Sequence, residues 1–158
     1  MKKVNNILYA GIFVKEDQLE RLFSIEPRPE GARIIEHPHV TLFFRNNVSL
    51  EIMQYVLTHN EQYHSIIVDG IGISDKAIAL HVSSIKSESG EEVPSMNKVK
   101  HITLYLLKDG KPVDSNSITE WKSIEPTSFM GYLRIIYKKN EHKKSLPENT
   151  ANNSGKDE

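Results

Sequence analysis

The order of apolar runs and amphipathic stretches predicts an α+β domain with a mixed or mostly antiparallel sheet. Three observations carry this. Strand-like runs and two helical patterns are interleaved through the first 138 residues. Two of the strand candidates, at 39–42 and 101–104, alternate polar and apolar residues, the signature of a sheet with one face on the core. The 158-residue length suits a single core, and the sequence contains no cysteine, which removes disulfides, thiolate zinc sites and thiol nucleophiles.

Ile7 to Val14 is an apolar run that reads as a buried first strand. It follows Met1-Lys2-Lys3, but it is short, lacks a small-residue cleavage site and runs into charged residues, so it is not taken as a signal peptide. Asp17 with Glu20 predicts a capped helix carrying Leu19, Leu22 and Phe23, ended by Pro27 and Pro29. Arg33 to Arg45 holds the next strand. Ser49 predicts an N-cap for a helix with Leu50, Met53, Val56 and Leu57 on one face, and Val48 with Met53 forms a hydrophobic staple. His64 to Asp69 and Ala77 to Ser83 read as a strand pair around Gly70 and Gly72. Ser84 to Asn97 is polar and contains Gly90 and Pro94, which predicts a mobile loop. Lys100 to Leu107 is a strand, Asp109-Gly110 a turn, Asp114 or Ser115 the cap of a short helix reaching Trp121, and Phe129 to Lys138 the closing strand. Residues 139–158 carry a single large apolar residue, Leu146, and read as a disordered polar tail.

Two tetrapeptides stand out from this frame: His39-Val40-Thr41-Leu42 and His101-Ile102-Thr103-Leu104. Strand side chains alternate faces, so each copy presents an imidazole and a hydroxyl on one face and apolar residues on the other. If both strands cover one core, both histidines emerge on the same opposite face. Positions two apart on a strand are separated by about 6.8 Å and neighbouring strands by about 4.8 Å, so four such side chains enclose a space near the size of one phosphoryl group. Imidazole titrates near neutrality and serves as general base or acid, while threonine hydroxyls donate to non-bridging phosphate oxygens. The candidate catalytic set is His39, Thr41, His101 and Thr103. Phe43 and Tyr105 lie two positions beyond each threonine and are expected to stack on a nucleobase; Tyr9, on the first strand, is expected to line the same cleft. His81 follows Ala77 and Ala79 on a strand face small enough to border a cleft, but the favoured reading is an exposed histidine with no role there. A zinc site built from His37, His39 and His101 is the weaker reading, because Pro38 perturbs the strand and the threonines would have no role.

The paired motifs, 62 residues apart, resemble the 2H phosphoesterase superfamily over about residues 7–138. His37-Pro38-His39-Val40-Thr41-Leu42, His101-Ile102-Thr103-Leu104 and Gly110-Lys111-Pro112-Val113-Asp114-Ser115-Asn116 look like its Swiss-army-knife, RNA-repair-like branch, related to the cyclic phosphodiesterase domain of fungal-type tRNA ligases. The resemblance implies two pseudo-symmetric lobes with mostly antiparallel sheets flanking a central cleft and helices on the outer faces. It also implies cleavage of a phosphodiester by two histidines, one base and one acid, with no metal or other cofactor and with both threonines gripping phosphate.

The expected substrate is a nucleotide or RNA end, such as a 2′,3′-cyclic phosphate, or a cyclic oligonucleotide. The alternatives are a non-catalytic module that binds such a ligand in the same cleft, and an interaction domain whose tail is the working part. The balanced charge, 20 Lys and Arg against 21 Asp and Glu, argues against extended nucleic-acid binding. A monomeric, cytoplasmic protein with no membrane partner is expected.

Overall fold

The computed structural model describes residues 6–138, so the expected tail at 139–158 lies outside the described residues. The strands are β1 (Ile7–Val14), β2 (Arg33–Ile34), β3 (His39–Phe44), β4 (Tyr63–Ile73), β5 (Ala77–Ser87), β6 (His101–Leu106) and β7 (Trp121–Tyr137). The helices are α1 (Leu19–Phe23) and α2 (Leu50–His59), with short 3-10 segments at Glu16–Gln18 and Pro112–Ser117. Among the described residues no helix is long and apolar enough to cross a membrane.

Every ladder is antiparallel. The order is β2-β6-β3-β1-β7-β4-β5, and β5 pairs back onto β6, so six strands close a ring. Closure is narrow at one seam, where β3 and β6 share the single pair Val40↔Ile102. Ile12, Val40, Leu42, Ile66, Leu80, Ile102, Leu104 and Leu133 are all fully buried in one core, which Leu22 of α1 and Ile52 and Val56 of α2 also enter. The α+β class and the antiparallel character agree with the sequence reading.

Several boundaries differ from expectation. Ser49 caps α2, its hydroxyl accepting from the Ile52 N–H at 3.2 Å. Asp17 caps nothing; it pairs with Lys15 at 3.3 Å, and α1 has only five residues. Gly70 and Gly72 lie inside β4 rather than in a turn. They are needed for close approach, because a Cβ on Gly72 would sit 2.5 Å from Ile118 and 2.7 Å from the Trp121 ring. β5 continues to Ser87, and the segment expected to be mobile is pinned: Val93 is buried, and the Ser95 hydroxyl donates to the Thr41 carbonyl at 2.8 Å. The short helix expected to reach Trp121 is a 3-10 segment ending at Ser117. β7 begins eight residues earlier than expected, at Trp121 rather than Phe129. Pro126 hides this strand from a sequence reading; it falls where the β4–β7 register skips between Val68 and Gly70, so no ladder bond needs its missing N–H.

Two register shifts matter most for the site. Along β1, Ala10 faces Phe43 but Gly11 faces Thr41, which leaves Leu42 as an extra residue. Along β5, Ile78 faces Tyr105 but Ala79 faces Thr103, which leaves Leu104 as an extra residue. Both motifs therefore end in a β-bulge at the same leucine, and a bulge reverses the alternation beyond it. Phe43 is consequently buried in the core beside Leu42, and Tyr105 beside Leu104. Neither lines a cleft, which corrects the expectation that both rings stack on a base. The Tyr105 hydroxyl donates inward to the Glu26 carbonyl at 2.6 Å.

Candidate functional site

The face opposite the core holds a cavity of about 360 Å³ between the two motif strands. That volume lies within the range of small-molecule sites. His39, Thr41, His101, Thr103 and Tyr9 all line it, so the structure brings together five of the seven residues singled out from sequence. Phe44, on the far side of the bulge, occupies the place expected for Phe43. The antiparallel pair Val40↔Ile102 sets His39 beside Thr103 and Thr41 beside His101 across the seam.

The two imidazoles are held in the same way. His39 Nδ1 lies 3.0 Å from the His37 carbonyl, and His101 Nδ1 lies 3.0 Å from the Val99 carbonyl. A carbonyl only accepts, so each Nδ1 carries its proton and donates. Each Nε2 is then left with a lone pair. Burial lowers the pKa of both rings. The carbonyl bonds oppose the effect, whereas a charge on His101 further disfavours protonation of His39, and one on His81 does the same to His101. Both rings are neutral at pH 7 as a result. His37 is exposed and supplies its carbonyl, not its ring, so the three-histidine metal reading is not assembled here. Among the described residues no group of three or more metal-ligating side chains comes together.

The surroundings of the two rings are not equivalent. His39 stacks on Phe13 at 4.5 Å and on Tyr9 at 5.2 Å between centroids. Gly11 makes this possible: a Cβ there would sit 2.6 Å from the Val40 carbonyl oxygen and 3.1 Å from His39 Cδ2. His101 instead faces His81 across β5, and His81 Nδ1 is paired with an Asp69 carboxylate oxygen at 2.7 Å. His81 is thus half-buried and partnered, not a solvated surface histidine. The Thr103 hydroxyl is 2.7 Å from that of buried Ser115.

Ile35, Asn97, Pro112, Val113 and Asn116 complete the wall. The bulges recruit two of them. The extra residue Leu104 accepts from the Ile35 N–H at 2.9 Å, and the extra residue Leu42 accepts from the Met96 N–H at 2.7 Å, which places Asn97 at the rim. Neither has a sequence signal, because each enters through a backbone bond. Pro112 to Asn116 lie in a stretch the motif resemblance had marked, without roles.

With this geometry established, comparison with solved structures shows a likeness of fold. The chain folds like part of a fungal RNA kinase. The crystal structure of that enzyme superposes with a TM-score of 0.58 at 15% identity, covering 87% of this chain and 47% of the kinase chain. This chain therefore spans about half the length of the kinase, and the likeness concerns the fold. No family model matches the sequence, and no curated protein matches it.

Proposed function

We propose that the protein is a 2H-type phosphodiesterase that hydrolyses a phosphodiester of a nucleotide or RNA end, without a metal. In this reading residues 1–138 form a 2H-like domain of two pseudo-symmetric halves, β1 with β3 and β5 with β6. One observation carries it: two histidines, each with Nδ1 3.0 Å from the carbonyl two residues back, line one cavity with two threonines. The fold shared with part of an RNA kinase supports an RNA-end substrate.

The chemistry follows from the tautomers. The Nε2 of one neutral ring takes a proton from water as the water oxygen bonds to phosphorus. The other ring, protonated at Nε2, delivers that proton to the ribose oxygen as its bond to phosphorus breaks. One water is added and the proton count on the pair is unchanged, with acid and base exchanged. Thr41 and Thr103 donate to the non-bridging oxygens as charge builds. For Thr103 this requires the Ser115 hydroxyl, 2.7 Å away, to donate to the Thr103 oxygen, which leaves the Thr103 proton for phosphate. The apolar wall, with Tyr9 and Phe44, seats the nucleoside.

The test is product formation from 2′,3′-cyclic nucleotides, cyclic oligonucleotides and RNA with a cyclic phosphate end, all in chelator. Turnover is expected to fall about 10²- to 10⁴-fold in His39→Ala and in His101→Ala. Retained turnover in both variants overturns the proposal. Binding with no product identifies a non-catalytic module and also overturns it.

A further inference from the structure

The sheet face that carries the cavity continues well beyond it. Phe13 faces His39 on one side and Tyr132 on the other, and Tyr132 in turn faces Tyr63. Cross-strand partners point to the same side of a sheet, so β3, β1, β7 and β4 present one row: His39, Phe13, Tyr132, Tyr63. Four strands at about 4.8 Å spacing make that row roughly 14 Å long. The rings are in contact at both ends, Phe13 on His39 at 4.5 Å and Tyr63 edge-on to Tyr132 at 6.5 Å. Tyr63 is 46% exposed at the outer end.

Cations lie along this row. The Arg134 guanidinium sits 5.6 Å from the Tyr132 ring centre, and the Lys15 ammonium 5.7 Å from that of Tyr63. Arg45 lies 5.0 Å from the ring of Phe44 at the cavity. Arg134 is exposed, faces Gly11 and forms no ion pair among the described residues. Its charge reaches Tyr9, where it offsets part of the rise that burial imposes on the hydroxyl pKa. Lys15 shares its charge with exposed Asp17 at 3.3 Å. The overall charge of −1 conceals this local arrangement, because binding responds to where charges sit and not to their sum.

We infer that this face is a track for single-stranded polynucleotide, with bases stacking on the tyrosines and phosphates following Arg134 and Lys15, so that the strand's end enters the cavity. The inference rests on the phosphodiesterase reading only for which part of the strand enters, and it narrows the substrate to a strand of several nucleotides. It also reverses the expectation of no extended nucleic-acid contact. Exposed Tyr63 and half-buried Tyr132, each with a cation by its ring and joined to the cavity through buried Phe13, match the general features of sequence-tolerant strand binding. A protein partner or a second copy of the chain would have less use for an unpaired guanidinium between rings.

The test uses the full chain with fluorescently labelled single-stranded RNAs: a dinucleotide and a strand of about eight nucleotides, within the span one stacking groove covers. Anisotropy is expected to show at least about tenfold tighter binding of the longer strand. The log–log salt slope should be about −2 for two to three phosphate contacts. Tyr63→Ala and Arg134→Ala should each reduce the long-to-short affinity ratio several-fold. Tyr63 is exposed enough that its truncation should leave the fold intact, checked by an unchanged melting temperature. Equal affinity for both lengths, or a ratio intact in both variants, overturns the inference. So does a dimer in light scattering that Tyr63→Ala dissociates without any length dependence, which would assign the face to a second copy. Product assays do not enter this test, so failure of the phosphodiesterase reading is scored separately.

Discussion

Val40 lies directly across from Ile102, and among the described residues this is the one ladder pair joining β3 to β6. Both side chains are fully buried, so the two strands meet with their apolar residues on the core side. Their neighbours on either side, His39 and Thr41 against Thr103 and His101, must then share the opposite face. One antiparallel register position thereby gathers four polar side chains around one cavity.

The bulge at Leu42 predicts opposite outcomes for two adjacent phenylalanines. Phe43 is fully buried, so Phe43→Ala should lower stability by about 3–5 kcal/mol. Phe44 is 50% exposed and lines the cavity, so Phe44→Ala should weaken substrate binding with little loss of stability. Urea unfolding and KM, measured on both variants, check this. Reversed outcomes would place the alternation where a regular strand has it.

Burial lowers the pKa of His39 and His101, and each is lowered further by charge on a neighbouring histidine. The proposed mechanism needs one ring neutral and one protonated, a state that exists between the two apparent pKa values of the pair. Both values lie below the ordinary imidazole value near 6.5, so the bell-shaped profile of kcat/KM should peak on the acid side of about pH 6.5. A steady-state pH series on the free enzyme measures it. A maximum above neutrality would contradict the proposed protonation states.

His64 predicts how stability depends on pH. It is buried; its Nδ1 donates to the Gln62 carbonyl at 2.9 Å, and its Nε2 accepts from the Tyr55 hydroxyl at 2.7 Å. Burial lowers its pKa; the Gln62 carbonyl and Glu88 oppose this, and His59 adds to it. Below about pH 6.5 the unfolded chain therefore binds more protons at this position than the folded one does. The contribution to stability is complete above that pH and is lost as pH falls toward the folded value. The same sign holds for His39 and His101. Melting temperature should drop between about pH 7 and about pH 5.5, and by less in His64→Gln.

Gly11 should tolerate no side chain. A Cβ would meet the Val40 carbonyl at 2.6 Å, and backbone cannot swing aside as a flexible side chain can. Gly11→Ala should cost about 1–3 kcal/mol of stability and shift the His39 ring. Turnover should fall at least about tenfold even at temperatures where the variant is folded. Circular dichroism and kinetics on one preparation separate the two effects.

Strand alternation made much of the site legible in the sequence. The motifs at 39–42 and 101–104 put polar atoms on one face and apolar groups on the other, and that follows from strand geometry within each tetrapeptide. The Ser49 cap was legible for the same local reason, but the α2 stripe only in part: Met53 and Val56 pack on the core, whereas Leu50 and Leu57 are exposed and Ile52 is buried instead. Beyond each motif the alternation fails at Leu42 and Leu104, because a bulge is a property of two paired strands and leaves no mark on one. Phe43 and Tyr105 were misplaced for this reason.

The sequence by itself determined the mostly antiparallel α+β class and the facing of four polar side chains, His39, Thr41, His101 and Thr103, that line one cavity. Only the tertiary structure decided the rest of the cavity. Ile35 and Asn97 enter through backbone bonds to bulged carbonyls, Asn116 through a 3-10 segment, and the tyrosine row through ladders between distant strands. Local patterns report which way a side chain points along its own strand. Which residues become neighbours depends on register across strands, and register is set by the packing of the whole core.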